Sequence, residues 1–323
     1  MLLDRSRPLR TVGRVALTAA LLLACARIAA LHAREAAVPG ITYVEQPEQI
    51  APSVYVETWP DLRPYVARLS AQDNAGARAD LQRAVEVAAP SDGALNLLSQ
   101  LERRDGRLDE AEVLIGKALS MNPNQHLHHF QQAMIFYARL RNASGGLDRW
   151  ELHGKTRDAY RRAFELDPKP VPYRYYLAYT RLQEPWIAGG DKREALRLAQ
   201  QGIDMGQQEF YVVRADVRSA LDEVEAAFAD YDESMRAGIF KLNSFLAAGR
   251  LALKGRQPER ARRYFDYAVR CRPDSPRAHE GLGDYFAAVN ETQAAVRAYE
   301  AALQADTAYS PARDKLRKLR PFP

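Results

Sequence analysis

Three histidines that fall within four residues, His126, His128 and His129, form the densest group of candidate metal ligands in the sequence. His126 and His129 are spaced i, i+3, so they can share one face of a helix, as paired metal ligands do. The alternative is structural: His129 falls where one helix would pack on its neighbour, and the other two fall at a solvated helix start. His153 follows nearby in sequence. We favour the structural alternative and expect neither a metal nor another cofactor.

Motifs for other chemistry are missing from the sequence. It contains no G-x-S-x-G, no glycine-rich phosphate loop, no H-E-x-x-H and no paired C-x-x-C. The two cysteines are Cys25, in an apolar leader, and Cys271, so no disulfide can form beyond that leader. We therefore expect a protein that is not an enzyme, with a metal-binding or hydrolytic role as the less favoured alternative.

The elements that would position any site repeat along the chain. Small or bulky apolar residues recur at helical offsets before a proline, which ends the helix. A second helical stretch precedes each of these, so each unit is predicted to be a helix, a short polar turn and a helix. The matching positions are Ala261, Phe265 and Ala268 before Pro273, and Ala111, Ile115 and Ala118 before Pro123.

The pattern recurs 34 residues before and after Pro273, which is the period of the tetratricopeptide repeat. The segments "LNLLSQLERRDGRLDEAEVLIGKALSMNP", "FLAAGRLALKGRQPERARRYFDYAVRCRP" and "HEGLGDYFAAVNETQAAVRAYEAAL" resemble tetratricopeptide repeats. The resemblance implies an all-α fold, a right-handed superhelix of about seven helix-turn-helix units with a C-terminal capping helix. The predicted array spans residues 58–320, with units near 58–91, 92–125, 126–170, 171–207, 208–241, 242–275 and 276–309, and a cap at 310–320.

Two of these units are longer than the period. The unit from Pro123 to Pro168 carries an insertion of 11 residues around Asn142 to His153, and the next carries about 5 extra residues at Glu184 to Gly190. The "PWIAGGDKREAL" stretch resembles a group of bacterial envelope repeat proteins.

The resemblance also implies a binding surface, because this family binds extended peptides or a partner helix on the concave face lined by the first helices. The predicted lining includes an aromatic run, which suits binding because rigid rings supply contact area at small entropic cost. In the alternative, the insert with Trp150 folds back over these rings and buries them. Farther along, the equivalent positions form a mixed charged surface: Asp216, Arg250, Lys254, Glu280 and Asp284. The predicted partner-binding residues are Phe130, Met134, Tyr137, Tyr175 and Tyr179.

The N-terminus predicts export. A basic stretch precedes the apolar "VALTAALLLACA", so residues 1–26 are predicted to be a signal peptide or lipoprotein signal. "LLAC" resembles a lipobox with Cys25 as the lipidated residue, whereas Ala24 to Ala26 also fit an A-x-A cleavage site, and an uncleaved anchor is a third possibility. Residues 27–57 are predicted to be an extended linker. We expect the bacterial periplasm, or the outer membrane facing the periplasm.

Charge argues against nucleic acid as the partner. The formal net charge is +5, and four arginines against Asp4 contribute +3 of it within the first two dozen residues. The rest of the chain has a net charge of only about +2, which is poor evidence for nucleic-acid binding. The predicted function is a non-catalytic envelope scaffold that binds a protein or peptide in the concave groove and meets the membrane only through its N-terminal anchor or lipid. The alternative is an accessory protein of outer-membrane polysaccharide or pilus export.

Overall fold

The computed structural model describes residues 40–44, 52–86 and 90–319. The predicted signal segment, with the lipidation candidate Cys25, lies outside these residues. The described elements are almost all helices, which confirms the predicted all-α repeat fold. No helix among the described residues is both long and apolar enough to cross a membrane.

The helices are α1 (Pro52–Thr58), α2 (Arg63–Ser70), α3 (Asn74–Val85), α4 (Asp92–Arg104), α5 (Leu108–Met121), α6 (His126–Asn142), α7 (Leu147–Leu166), α8 (Val171–Gln183), α9 (Lys192–Asp204), α10 (Phe210–Ala220), α11 (Val224–Arg236), α12 (Leu242–Lys254), α13 (Pro258–Cys271), α14 (Pro276–Ala288), α15 (Thr292–Ala305) and α16 (Ser310–Leu319). Short 3₁₀ turns cover Pro60–Leu62 and Trp186–Ala188. Two short strands, β1 (Thr42–Tyr43) and β2 (Ile239–Phe240), pair in parallel.

The chain divides into two compact units. The first spans Thr42–Ala248, and the second contains Gly249 and the residues that follow it, with Gly40 and Ile41. In the second unit, helix α16 packs its buried Ala312 against Ala295, Tyr299 and Ala302 of α15. This helix therefore covers the apolar face of the last helix pair.

Close helix packing explains the small residues of the repeat pattern. In the first unit, Gly202 of α9 lies directly against the ring of Phe210, where a methyl group would overlap ring carbons. In the second unit, Gly283 of α14 lies against Tyr299 in the same way. The aromatic ring fills the space that the glycine leaves, so each small residue and its ring act as one packing pair.

The insert of the third predicted repeat, residues 126–170, is helical rather than a loop. Helices α6 and α7 are 17 and 20 residues long, and residues 143–146 alone connect them. Gly145 and Gly146 turn the chain there with φ values of 126° and 78°, which side chains disfavour. The insert therefore does not form a loop over the aromatic run, and Trp150 on α7 is 46% exposed. The rings of Phe130, Tyr175 and Tyr179 are nevertheless buried, against other aromatic rings of the helix pairs.

The predicted extended linker, residues 27–57, is corrected over its described part. Residues Pro52–Thr58 form helix α1, although "SVYVETW" alternates like a strand. Tyr55 and Trp59 are spaced i, i+4, which places them on one face of the helix and its C-terminal end, and both are buried in the same apolar cluster as Leu62 and Leu81. Thr42–Tyr43 are also paired, as strand β1.

Candidate functional site

A cleft of about 480 Å³ opens in the Thr42–Ala248 unit between the first helices of successive pairs. Its walls come from α6, α8, α10, α11 and the start of α12, so residues far apart in sequence meet there. Aromatic rings dominate the lining: Tyr137, Tyr175, Tyr176, Tyr179 and Tyr231. The neutral polar groups of Thr180, Gln183, Ser219, Asn243 and Ser244 share the walls with Asp216 and Lys241.

The structure brings three of the five predicted partner-binding residues to this cleft and leaves two outside it. Tyr137, Tyr175 and Tyr179 line the cleft; Tyr137 is partly exposed, whereas Tyr175 and Tyr179 are largely buried, at 3% and 7% exposure. Phe130 is buried with its ring centroid 4.8 Å from that of Tyr173. Met134 is also buried, and its Sδ accepts a hydrogen bond of 3.1 Å from the hydroxyl of Tyr160. Phe130 and Met134 therefore lie in the packing between helices, not on the cleft.

Asp216 of α10 is the polar centre of the cleft. Its carboxylate accepts hydrogen bonds from the Tyr179 hydroxyl at 2.6 Å and the Tyr231 hydroxyl at 2.8 Å. The Ser244 hydroxyl donates to the same carboxylate at 2.7 Å. Three hydroxyls from α8, α11 and α12 thus converge on one side chain, which joins four helices at this point.

Lys241 neutralises that carboxylate and stacks on the aromatic wall. Its Nζ lies 3.4 Å from Asp216 Oδ2 and 3.4 Å from the centroid of the Tyr179 ring. Burial raises the pKa of Tyr179 well above its usual value, and the nearby Asp216 carboxylate adds to the effect. The phenol therefore stays protonated at neutral pH and remains a donor to Asp216.

This arrangement has features that suit binding of a polypeptide. The one acidic and the one basic side chain of the lining offset each other, and the phenols of Tyr179 and Tyr231 are engaged as donors. The cleft presents the partly exposed ring of Tyr137 and small accessible parts of the other, buried tyrosines, with amide and hydroxyl groups between them. Such a surface contacts the apolar side chains and backbone amides of a polypeptide.

Sequence reasoning did not foresee the roles of Lys241 and Ser244, and it placed Asp216 on a mixed charged surface. The sequence did contain a signal for Asp216. It lies one repeat after Tyr179, at a corresponding position on the helix face that carries the tyrosines. Of the other predicted charged positions, Glu280 and Asp284 are engaged by Lys315 of α16, each at 2.6 Å from its Nζ. The capping helix thus neutralises these carboxylates within the second unit.

The histidines have separate structural partners. Asn96 Nδ2 lies 2.9 Å from Nδ1 of the buried His128, which leaves Nε2–H to donate to Asp92 at 3.1 Å. Burial lowers the pKa of His128, although Asp92 opposes that change. His126 Nδ1 meets the Tyr173 hydroxyl at 2.7 Å, and His129 Nε2 donates to a backbone carbonyl. Within residues 40–44, 52–86 and 90–319, no three His, Cys, Asp or Glu side chains are grouped to hold a metal ion.

Comparison with known proteins agrees with the helix pairs. The tetratricopeptide repeat model matches residues 66–126 and 246–311. No curated protein sequence matches the chain.

Solved structures share the fold at low sequence identity. A tetratricopeptide repeat protein from Parabacteroides merdae is 14% identical, with a TM-score of 0.57 over 83% of this chain and 98% of its own. PilW, a type IV pilus biogenesis factor, is 16% identical with a TM-score of 0.55 over 70% of this chain and 97% of its own. PilF of Pseudomonas aeruginosa is 15% identical with a TM-score of 0.53 over the same shares, 70% and 97%. Together with the 34-residue period and the glycine–aromatic packing pairs, these matches show tetratricopeptide repeats at residues 66–126 and 246–311 and a fold like that of the solved repeat structures.

Proposed function

We propose that this protein is a non-catalytic scaffold that binds a partner polypeptide in the tyrosine-lined cleft of the Thr42–Ala248 unit. The observation that carries the proposal is the cleft itself, where tyrosines from successive helix pairs stand around the neutralised pair of Asp216 and Lys241. Tetratricopeptide-repeat proteins bind protein partners on this kind of surface.

The physical argument rests on the rigidity of the walls. Tyr175 and Tyr179 pack with ring centroids 4.8 Å apart, and the hydroxyl of Tyr179 is fixed by Asp216. Side chains that are already ordered lose little entropy when a partner covers them, so burial of the partly exposed Tyr137 ring and of the polar groups beside it contributes to affinity. The offset charges indicate that the bound stretch of the partner is uncharged, since an unpaired charge would be desolvated there without compensation.

The test is site-specific photo-crosslinking in intact cells. A photoreactive phenylalanine analogue replaces Gln183, an exposed residue on the cleft wall, and in a matched variant it replaces Val113, which is 60% exposed on α5 and does not line the cleft. A defined protein adduct from position 183 and none from position 113 supports the proposal. Equal adducts from both positions, or none from position 183, contradict it.

We further propose that the scaffold works in the bacterial cell envelope, in the periplasm or on the periplasmic side of the outer membrane. Support comes from the basic and apolar leader before Cys25. Incorporation of labelled palmitate into the wild-type protein, and its loss in Cys25→Ser, is the expected result for a lipoprotein. A mature N-terminus at Arg27 or beyond without label would instead indicate a cleaved, lipid-free form.

A narrower candidate function is an accessory role in pilus or polysaccharide export. The fold similarity to PilW and PilF favours the pilus, although at 16% and 15% identity that similarity concerns architecture. Recovery of a pilus or outer-membrane export component in the Gln183 crosslink would support this role. A partner from another process would exclude it.

A further inference from the structure

Residues Thr42–Val44 run as an extended segment alongside Gly238–Phe240, almost two hundred residues later in the chain. The backbone N–H of Thr42 donates to the carbonyl of Gly238 at 2.8 Å. The N–H of Val44 donates to the carbonyl of Phe240 at 2.9 Å. The pairing is parallel, with Thr42 opposite Ile239 and Tyr43 opposite Phe240.

A wall residue of the cleft holds the end of this segment. The hydroxyl of Tyr175 donates to the carbonyl of Val44 at 2.8 Å. The Val44 side chain is buried, at 3% exposure, and the ring of Tyr43 lies edge-on to that of Phe240 at 5.7 Å. The segment is thus recognised as a peptide ligand would be, through its backbone and one buried side chain.

The receiving segment is fixed independently of β1. Gly238 leaves helix α11 with a φ of 70°, which sets the direction of the two residues that follow. The Ser234 hydroxyl of α11 donates to the carbonyl of Ile239 at 3.1 Å. The ring of Phe240 is fully buried and stacks on that of Phe245 at 5.7 Å. Residues 238–240 are therefore preorganised to accept a strand.

We propose that Gly238–Phe240, together with the Tyr175 hydroxyl, form an exchangeable strand-binding site for an extended partner peptide, which Thr42–Val44 occupy within the same chain. This inference rests on the proposed function, because it takes the partner to be a polypeptide. It adds the way in which that polypeptide binds. The partner segment lies parallel to β2, places a β-branched residue where Val44 is buried, and continues into the cleft.

The position of the site explains why a partner can replace the internal segment. Lys241, the residue after Phe240, and Tyr175 both line the cleft, so the site and the cleft are continuous. The internal segment makes a two-residue pairing. A longer peptide that pairs in the same way and also covers the tyrosines gains contacts that residues 42–44 do not make. Tethering gives the internal segment an effective concentration of about millimolar, so a short free peptide competes poorly with it.

The experiment measures binding of a fluorescent peptide, acetylated and with the sequence GITYV of residues 40–44, to the full chain by anisotropy. In the double variant Thr42→Pro/Val44→Pro, both strand N–H donors are lost and the internal segment is released. We expect this variant to bind the peptide at least about tenfold more tightly than the wild type, in which the site is occupied. Tyr175→Phe in the double-variant background is expected to weaken binding about threefold or more, since it removes the donor to the valine carbonyl.

The matched control is Thr42→Ala, which keeps the backbone donor on an exposed residue and is expected to behave as the wild type. Equal peptide affinity for the wild type and a folded double variant, or no binding to either, overturns the proposal. If the double variant does not fold, Val44→Asp expels the segment by placing a carboxylate in its buried pocket, and the same gain in affinity is required. Failure of this assay with a successful Gln183 crosslink leaves the cleft as the partner site and rejects strand exchange.

Discussion

At the scale of single residues, Asp216 is the side chain on which the cleft depends. The hydroxyls of Tyr179, Tyr231 and Ser244 donate to it from three different helices, and all three residues are buried. A buried hydroxyl that loses its acceptor bears the full cost of its desolvation. The carboxylate therefore stabilises the arrangement of α8, α10, α11 and α12 as well as shaping the binding surface.

Asp216→Ala is expected to lower the free energy of unfolding by about 2 to 4 kcal/mol, because several donors lose one charged acceptor. Urea denaturation followed by circular dichroism measures the loss. The matched control is Asp61→Ala, which removes an exposed carboxylate in the same unit and is expected to change stability by less than about 0.5 kcal/mol. An Asp216→Ala variant as stable as the Asp61→Ala variant would show that the hydroxyls find other partners.

Sequence spacing located part of this site. The helical register placed Tyr137, Tyr175 and Tyr179 on one face, and all three line the cleft. The same register placed Phe130 and Met134 there, yet both are covered by neighbouring rings. Helical spacing fixes the face of one helix, but burial depends on how the next helix crosses it, which one sequence does not state.

At the scale of elements, the small residues of the repeat explain how the helices approach. The pattern of a glycine or alanine opposite a ring is local, so it predicted the helix pairs from sequence alone. The structure of the insert around Asn142 to His153 could not be predicted in this way. A repeat longer than 34 residues shows how many residues are inserted, but not whether they form a loop or lengthen the helices. The structure shows that they lengthen α6 and α7, with the turn confined to the glycines at 145 and 146.

Two glycine substitutions separate packing from helix propensity. Gly202→Ala is expected to cost about 1 to 3 kcal/mol, because the added methyl overlaps the fully buried ring of Phe210. Gly116→Ala, in α5 of the same unit, meets open space and is expected to be neutral or to stabilise by up to about 1 kcal/mol. Urea midpoints of the two variants measure the difference. A stable Gly202→Ala variant would contradict the close approach of α9 and Phe210.

At the scale of the whole molecule, the feature that sequence could least predict is the pairing of Thr42–Tyr43 with Ile239–Phe240. A two-residue strand carries almost no periodic signal, and its partner depends on the position to which the intervening helices bring α11 and α12. The apolar run that marks the leader, by contrast, is visible in the sequence but lies outside the described residues.

The abundance of buried tyrosines gives the molecule a predictable response to alkali. Burial raises the pKa of Tyr55 to about 12, even though the hydrogen bond from Gln100 acts in the opposite direction. Burial likewise raises the pKa of Tyr179. In the unfolded chain a phenol ionises near pH 10. Because the folded state holds these protons more tightly, the stability that they contribute is complete below about pH 10 and declines as the pH rises towards the folded pKa.

Tyr55→Phe removes one of these linked protons. Between about pH 10 and 12 the free energy of unfolding of the variant should fall less steeply than that of the wild type, by up to about 1.4 kcal/mol per pH unit. Urea denaturation at a series of pH values from 9 upward measures both slopes, and phenolate absorbance reports which tyrosines have ionised before unfolding. The hydroxyl lost from the contact with Gln100 shifts the whole curve of the variant but leaves its slope below pH 9 unchanged. Parallel curves above pH 10 would mean that Tyr55 ionises as readily in the folded protein as in the unfolded chain, and that helix α1 does not bury it.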